Sequence, residues 1–247
     1  MRKVWGKKSV LIVTCCLLML LTGCVRYDVG IDFLSQQGGV LVQNIKLGKQ
    51  LTSLNQLEGN QLLNSLEKRT AKLQGKFKRL SSEEVVVIIP FNNGKELAAK
   101  FNKFFNPTDN NDAISQADAI DLLKVNSNMS VQQSNLLLLE RDRLSLTVDL
   151  RPLGVISKQG NLIVSSGSLI DTKLVLNTPW KANSLIGENL LEPEINNGHQ
   201  IVWQLKPGQL NYLEAVFWVP SILGIGTVVI ILLILVGFYL KYKAFPC

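Results

Sequence analysis

The sequence predicts an α+β domain, mainly antiparallel sheet with two helices packed on it, followed by one C-terminal transmembrane helix. Three observations carry that expectation. Residues 25–33 and 144–151 alternate apolar and polar side chains, the period of a half-buried strand. Two other stretches place apolar groups three and four residues apart, as one face of a helix does: Leu62, Leu66, Thr70 and Leu73, then Leu97, Phe101, Phe104 and Phe105. Finally, residues 215–240 contain no charged side chain, and a helix needs roughly 20 apolar residues to cross a bilayer.

The two ends set the expected topology. Arg2, Lys3, Lys7 and Lys8 precede an apolar run over 10–21 that is too short to span and reads as the core of a signal peptide. The run ends in Leu21-Thr22-Gly23-Cys24, which resembles the lipobox of bacterial lipoproteins. That resemblance implies a diacylglyceryl thioether on Cys24, which becomes the mature N-terminus after removal of the signal peptide, 1–23. At the other end Phe217 and Trp218 sit at one edge of the apolar stretch and Tyr239 and Tyr242 at the other, where Lys241 and Lys243 follow. Aromatic belts mark both interfaces and positive charge favours the cytoplasmic side. The expected layout is an exoplasmic domain over 24–214, a membrane helix over 215–240 and a cytoplasmic tail over 241–247. The domain would face the periplasm or lumen, from a cell or thylakoid membrane. Because the strand at 25–33 begins one residue after Cys24, its start is expected close to the membrane surface.

Taken in order, 25–33 and 40–47 form a hairpin across Gln36-Gln37-Gly38-Gly39. The first helix follows a Ser53-x-x-Gln56 capping box; Gly59 argues for a start near Asn60 and Gly75 for the stop. Strands at 76–80 and 84–89 come next, and Val85–Ile89, apolar throughout, is expected as a central strand covered on both faces. Pro90-Phe91-Asn92-Asn93-Gly94 turns into the second helix, 95–105. Residues 106–121, rich in Asp and Asn, read as a mobile loop. The remainder reads as strands at 122–131, 135–140, 143–151, 161–165, 172–177 and 199–205, with Asn196-Asn197-Gly198 as a hairpin turn.

Charge and cysteine usage narrow the function classes. Of 26 Lys+Arg against 19 Asp+Glu, six basic residues (Arg2, Lys3, Lys7, Lys8, Lys241 and Lys243) flank the two apolar ends. The stretch between is close to neutral, so the basic balance is topogenic and gives no case for nucleic-acid binding. Cys15 and Cys16 leave with the signal peptide, Cys24 is acylated and Cys247 is cytoplasmic, so no disulfide is expected in the domain. His199 is the single histidine, and neither a zinc set nor a Ser-His-Asp triad can be assembled from motifs. Ser65-x-x-Lys68 lacks the motifs that accompany a catalytic S-x-x-K, Asp109-Asn110-Asn111-Asp112 lacks the glycine and closing glutamate of a calcium loop, and no phosphate-binding glycine motif occurs. No enzyme, metal or cofactor is expected.

Residues 24–47, the Pro90-Phe91-Asn92-Asn93-Gly94 turn, Leu150-Arg151-Pro152-Leu153-Gly154 and residues 203–240 together resemble the LppM-domain lipoproteins, a bacterial envelope family, and most of all a cyanobacterial branch of unknown function. The resemblance implies a lipoprotein domain with a C-terminal membrane helix, and lipid or glycolipid binding. Two functional expectations follow. One is a non-enzymatic interaction or assembly factor for a membrane complex, with membrane lipids and integral membrane proteins as partners. The other is a lipid-binding module. Besides Cys24, the candidate lipid contacts are Phe101, Phe104, Phe105 and Trp218; for the three phenylalanines, packing of a helix on a sheet is the competing reading. A closed core with an exposed apolar or aromatic patch would favour the first expectation, and an apolar cavity the second.

Overall fold

The structure, a computed structural model, describes residues 25–34, 38–46, 56–81, 84–106, 126–151, 155–156, 162–163 and 170–243. The signal peptide, the lipobox with Cys24, most of the 106–121 loop and Cys247 lie outside the described residues. The chain runs β1 (Val25–Phe33), β2 (Gly39–Lys46), α1 (Gln56–Lys72), β3 (Lys76–Arg79), β4 (Glu84–Phe91), α2 (Gly94–Phe105), β5 (Asn126–Leu136), β6 (Leu139–Asp149), β7 (Val155–Ile156) and β8 (Leu162–Ile163). It continues β9 (Ile170–Asn177), β10 (Ala182–Ser184), β11 (Ile195–Asn196), β12 (Gln200–Gln204), β13 (Leu210–Pro220) and α3 (Ile222–Tyr242). The fold is mixed α and β, as expected, with one C-terminal apolar helix long enough to span a membrane.

Alternation in β1 buries Val29, Ile31 and Phe33 on one face. Those residues seed the inner face of a seven-stranded sheet in the order β11-β12-β9-β1-β2-β4-β3, in which β1 and β9 pair in parallel and the other neighbours antiparallel. A four-stranded sheet, β10-β13-β6-β5, packs against it. Leu144 and Leu146 of β6 and Leu213, Ala215, Phe217 and Val219 of β13 share one core with the inner face of the larger sheet. Phe33 closes the two layers on each other, meeting Phe91 at 5.2 Å and Phe217 at 4.9 Å, both edge-on. Each such buried side chain stabilises the fold by roughly 1.5–3 kcal/mol.

The helices extend the second layer. Helix α1 packs on β3 and β4, and α2 on β4 and β5. Asn93 caps α2 by accepting the Glu96 amide at 2.8 Å, while the Glu96 carboxylate accepts the Asn92 amide at 2.9 Å. Helix α2 also covers the open edge of β5. Asn102 exchanges two bonds with the Met129 backbone, at 2.7 and 2.9 Å, and Asn106 does the same with Ser127. The match is geometric: four residues along a helix and two along a strand both advance about 6 Å. An edge strand left open would be a template for aggregation.

Several sequence expectations are corrected here. The expected membrane helix does not begin at 215. Residues 215–220 finish β13, which pairs with β6 over its whole length, and the helix starts at Ile222 after a Pro220-Ser221 break and runs on to Tyr242. Unbroken apolarity concealed a period of two, with Ala215, Phe217 and Val219 fully buried. Residues 135–140 are not a strand of their own: Leu136 and Leu139 pair across a two-residue turn, so three expected strands are the two arms of one long hairpin. Strand β4 is second from an edge, and Val86 and Ile88 on its outer face are only half-buried. Helix α1 already begins at Gln56, with Gly59 inside it. Gly75 does not supply the left-handed stop; Gln74 does, at φ 59°. The glycine is there because a Cβ would lie 2.8 Å from the Ile88 carbonyl oxygen.

Candidate membrane interface

Three strands of the smaller sheet end together. Strand β6 pairs with β5 down to Leu136–Leu139 and with β13 down to Pro220. Two residues, Leu137 and Leu138, close the hairpin, and one residue, Ser221, joins β13 to α3. Leu137 holds φ at 44°, a left-handed conformation that costs a non-glycine residue roughly 1–2 kcal/mol.

The hairpin tip and the first turn of α3 are in direct contact. The Ser221 amide donates to the Leu138 carbonyl at 2.9 Å, and the Ser221 hydroxyl accepts the Gly224 amide at 3.2 Å as an N-cap. A Cβ on Gly224 would lie 1.5 Å from the Leu137 carbonyl oxygen. Only glycine admits that approach, and Gly224 is the one buried residue of α3. By contrast Leu136, Leu137, Leu138 and Leu139 are all exposed, as are Trp218, Ile222 and Leu223. Leu136 pairs with Leu139, and Trp218 sits opposite Arg141, so an apolar rim surrounds the start of the helix.

Just inside this rim the inner face of β6 turns acidic. Asp142 stands between Gln133 and Phe217 in register, and Glu140 between Asn135 and Val219. Both carboxylates are buried, and Gln133 Nε2 donates to Glu140 Oε1 at 3.1 Å. One oxygen of Asp142, Oδ1, has no hydrogen-bond partner. Burial pushes the Asp142 carboxyl up to about 6; Gln133 offsets this in part, and the neighbouring Glu140 charge adds to it. On the outer face Arg143 grips Glu214 through two bonds of 2.9 Å, and Ser145 adds a third at 2.7 Å. The arginine and serine hold the Glu214 carboxyl below its usual range.

The remaining sequence candidates fall elsewhere. Phe101, Phe104 and Phe105 are buried in the core, with Phe105 4.4 Å from Phe101 and 5.2 Å from Phe104, and present no surface to a bilayer. Trp218 alone of that set is exposed; its neighbour Phe217, expected in an interfacial belt, is in the core. His199 lies beside the Thr178 carbonyl, 3.3 Å from Nδ1. Among the described residues no cluster of three or more His, Cys, Asp or Glu could hold a metal. Sequence reasoning missed the Leu136–Leu139 tip, Gly224 and the Glu140–Asp142 pair. Four consecutive leucines flanked by polar residues are the available signal, and the sequence reading places them in a strand over 135–140.

A family description, Protein of unknown function (DUF3153), matches residues 29–244. The chain belongs to this family. The match extends from β1 through α3, so membership takes in the sandwich and the apolar helix together. No curated protein matches the sequence. Among solved structures the chain is similar to the folded domain of LppM from Mycobacterium tuberculosis, determined by NMR, at 9% identity and a TM-score of 0.39, covering 81% of this chain and 92% of that chain.

Proposed function

We propose that this DUF3153 member is a membrane-anchored, non-enzymatic interaction or assembly factor that presents its sandwich at a set attitude on the exoplasmic surface. The observation that carries the reading is the junction at Ser221. A flexible linker would let the domain wander; here one residue joins strand to helix, and the Gly224–Leu137 contact locks the two. A core closed by Phe33, Phe91 and Phe217 further supports an interaction role over a lipid-holding one. The lipid or glycolipid binding module is the alternative, and the Phe-filled contact of α2 with the sheets speaks against it.

In this reading α3 crosses a cell or thylakoid membrane with Lys241 and Lys243 on the cytoplasmic side, and membrane lipids and integral membrane proteins are the partners. Lipidation of Cys24 and kinship with a cyanobacterial branch belong to the same reading. Lipidation carries a geometric condition. Val25 starts β1 eight residues, or about 26 Å, from Phe33, whose ring packs on Phe217 near the α3 end of the sandwich. An acyl chain on Cys24 reaches the bilayer holding α3 only if the strands lie along the membrane rather than stand on it.

Native mass spectrometry of the full chain extracted in detergent tests the proposal. A defined integral membrane protein at fixed stoichiometry is expected. One lipid retained per chain, with no protein, would move the assignment to the alternative.

A further inference from the structure

We propose that the β5–β6 tip, Leu136–Leu139, is a second membrane contact that enters the boundary layer of the bilayer crossed by α3. The inference rests on the spanning reading of α3 and goes beyond it by assigning a lipid-contacting site to the folded domain. All four leucines are exposed, and none belongs to the core. Turn chemistry does not account for them either. A two-residue hairpin ordinarily carries Gly, Asn or Asp where the backbone turns left-handed, yet that place is taken by Leu137 at φ 44°. A strained, apolar turn suits surroundings that are not water.

The depth of the tip follows from α3. Its 21 residues, at about 1.5 Å each, extend about 30 Å, which is one hydrocarbon thickness. A helix with no length to spare enters the apolar layer at its first turn, Ile222–Ile225. The Leu137 carbonyl touches Gly224 within that turn, so the leucines beside it lie at the same boundary. Trp218, exposed on the same rim, has the amphipathic ring that settles at headgroup level. Arg141, opposite it in register and also exposed, is placed to reach headgroup phosphates. Among the described residues the acidic groups nearest the tip, Glu140 and Asp142, turn into the core. The occupant is therefore the bilayer itself, continuous with the lipid around α3.

The test uses the full chain carrying Cys24→Ala, so that no acyl group can draw the Val25 end of the sheet to the bilayer. It is placed in vesicles of phosphatidylcholine and phosphatidylglycerol, with a photoreactive phenylalanine analogue placed singly at Leu136, Ile231 or Leu80. Ile231 lies mid-helix, and Leu80 is an exposed leucine beyond β3, next to Glu84 at the start of β4 and so at the other end of that strand from Phe91. Irradiation should yield phospholipid adducts at Ile231 and Leu136, the latter at least about tenfold above Leu80, as expected of an apolar contact set in the interface. In the Leu136 background, Leu137→Asn should leave the domain's melt unchanged or raised, because Asn tolerates the left-handed turn, while adduct yield at Leu136 falls. Adducts at Ile231 without adducts at Leu136 would overturn the inference and leave the spanning reading intact. Crosslinks from Leu136 to a second copy of the chain would overturn it equally. Absence of lipid adducts at Ile231 would remove the spanning reading itself, and the inference with it.

Discussion

Strand β13 and helix α3 are neighbours in the chain, separated by Ser221, and both are strongly apolar, yet they meet opposite environments. In β13 Leu213, Ala215, Phe217 and Val219 are buried while Tyr212 and Trp218 face out. In α3 the side chains point outward all round, and Gly224 alone is buried. The difference is one of partners. β13 is flanked by β6 and β10 and lies on the larger sheet, so its backbone groups are satisfied by ladders and one face has a core to join. α3 satisfies its backbone internally and, among the described residues, is buried only at its first turn, which is what a lipid environment requires of a spanning segment. Apolarity alone decides that a segment leaves water; the neighbours available to its backbone decide where it goes.

The largest test of that contrast sets Phe217 against Ile231. Phe217→Ala should lower the stability of the sandwich by about 3–5 kcal/mol, the usual cost of emptying a buried aromatic site. Ile231→Ala should leave the thermal melt of the full chain in detergent unchanged. Equal effects would show that the two segments share one core.

Glycines probe the junction next. Gly224→Ala must displace either the Leu137 carbonyl or the helix, and a loss of about 2–3 kcal/mol is expected, of the size seen for overpacking. Amide exchange at Ser221 should accelerate at the same time. Gly226→Ala and Gly237→Ala, where a Cβ meets nothing within 4 Å, should be neutral or slightly stabilising through helix propensity. If Gly224→Ala behaves like those two, the lock between hairpin and helix does not exist.

Asp142 sharpens the comparison from the β6 side, since it faces Phe217. Its folded pKa, about 6, lies above the ordinary aspartate value of 3.8, so between roughly pH 4 and 6 the native state holds a proton that the unfolded chain releases. Stability from this group is therefore fully present below about pH 3.8 and is lost as pH rises from there through 6. Asp142→Asn should raise stability by about 1–2 kcal/mol at pH 7.5, with the gain shrinking towards zero near pH 4. A gain that is independent of pH would exclude titration of Asp142 as its source.

Trp218→Ala makes the smallest difference. One residue from Phe217 but on the outer face, it should cost the fold less than about 1 kcal/mol. A loss as large as that of Phe217→Ala would mean the register of β13 is shifted by one.

How much of this was legible depends on the range of each signal. Period two in β1 and in Leu144–Leu150, the i, i+3, i+4 face of α2 and the turn at Asn197-Gly198 are local patterns, and each element stands where its pattern placed it. The same local reading failed at Leu136–Leu139, because four leucines look alike whether buried in a strand or exposed on a turn. It failed again at 215–220, where a strand apolar on its core side runs into a helix apolar on every side.

By itself the sequence determined the α+β class, most of the elements, the near-neutral domain and the presence of a C-terminal helix able to cross a membrane. All of these depend on composition or on spacings of a few residues, which the chain carries without reference to its fold. Only the tertiary structure decided that β9 enters beside β1 in parallel, that Asn102 and Asn106 cover the edge of β5, and that Leu137 meets Gly224. Those contacts join residues tens of positions apart, and no local periodicity encodes which distant backbone a side chain will reach. The candidate interface belongs to this second kind, since it exists only where the ends of three strands and the start of one helix are brought to the same place.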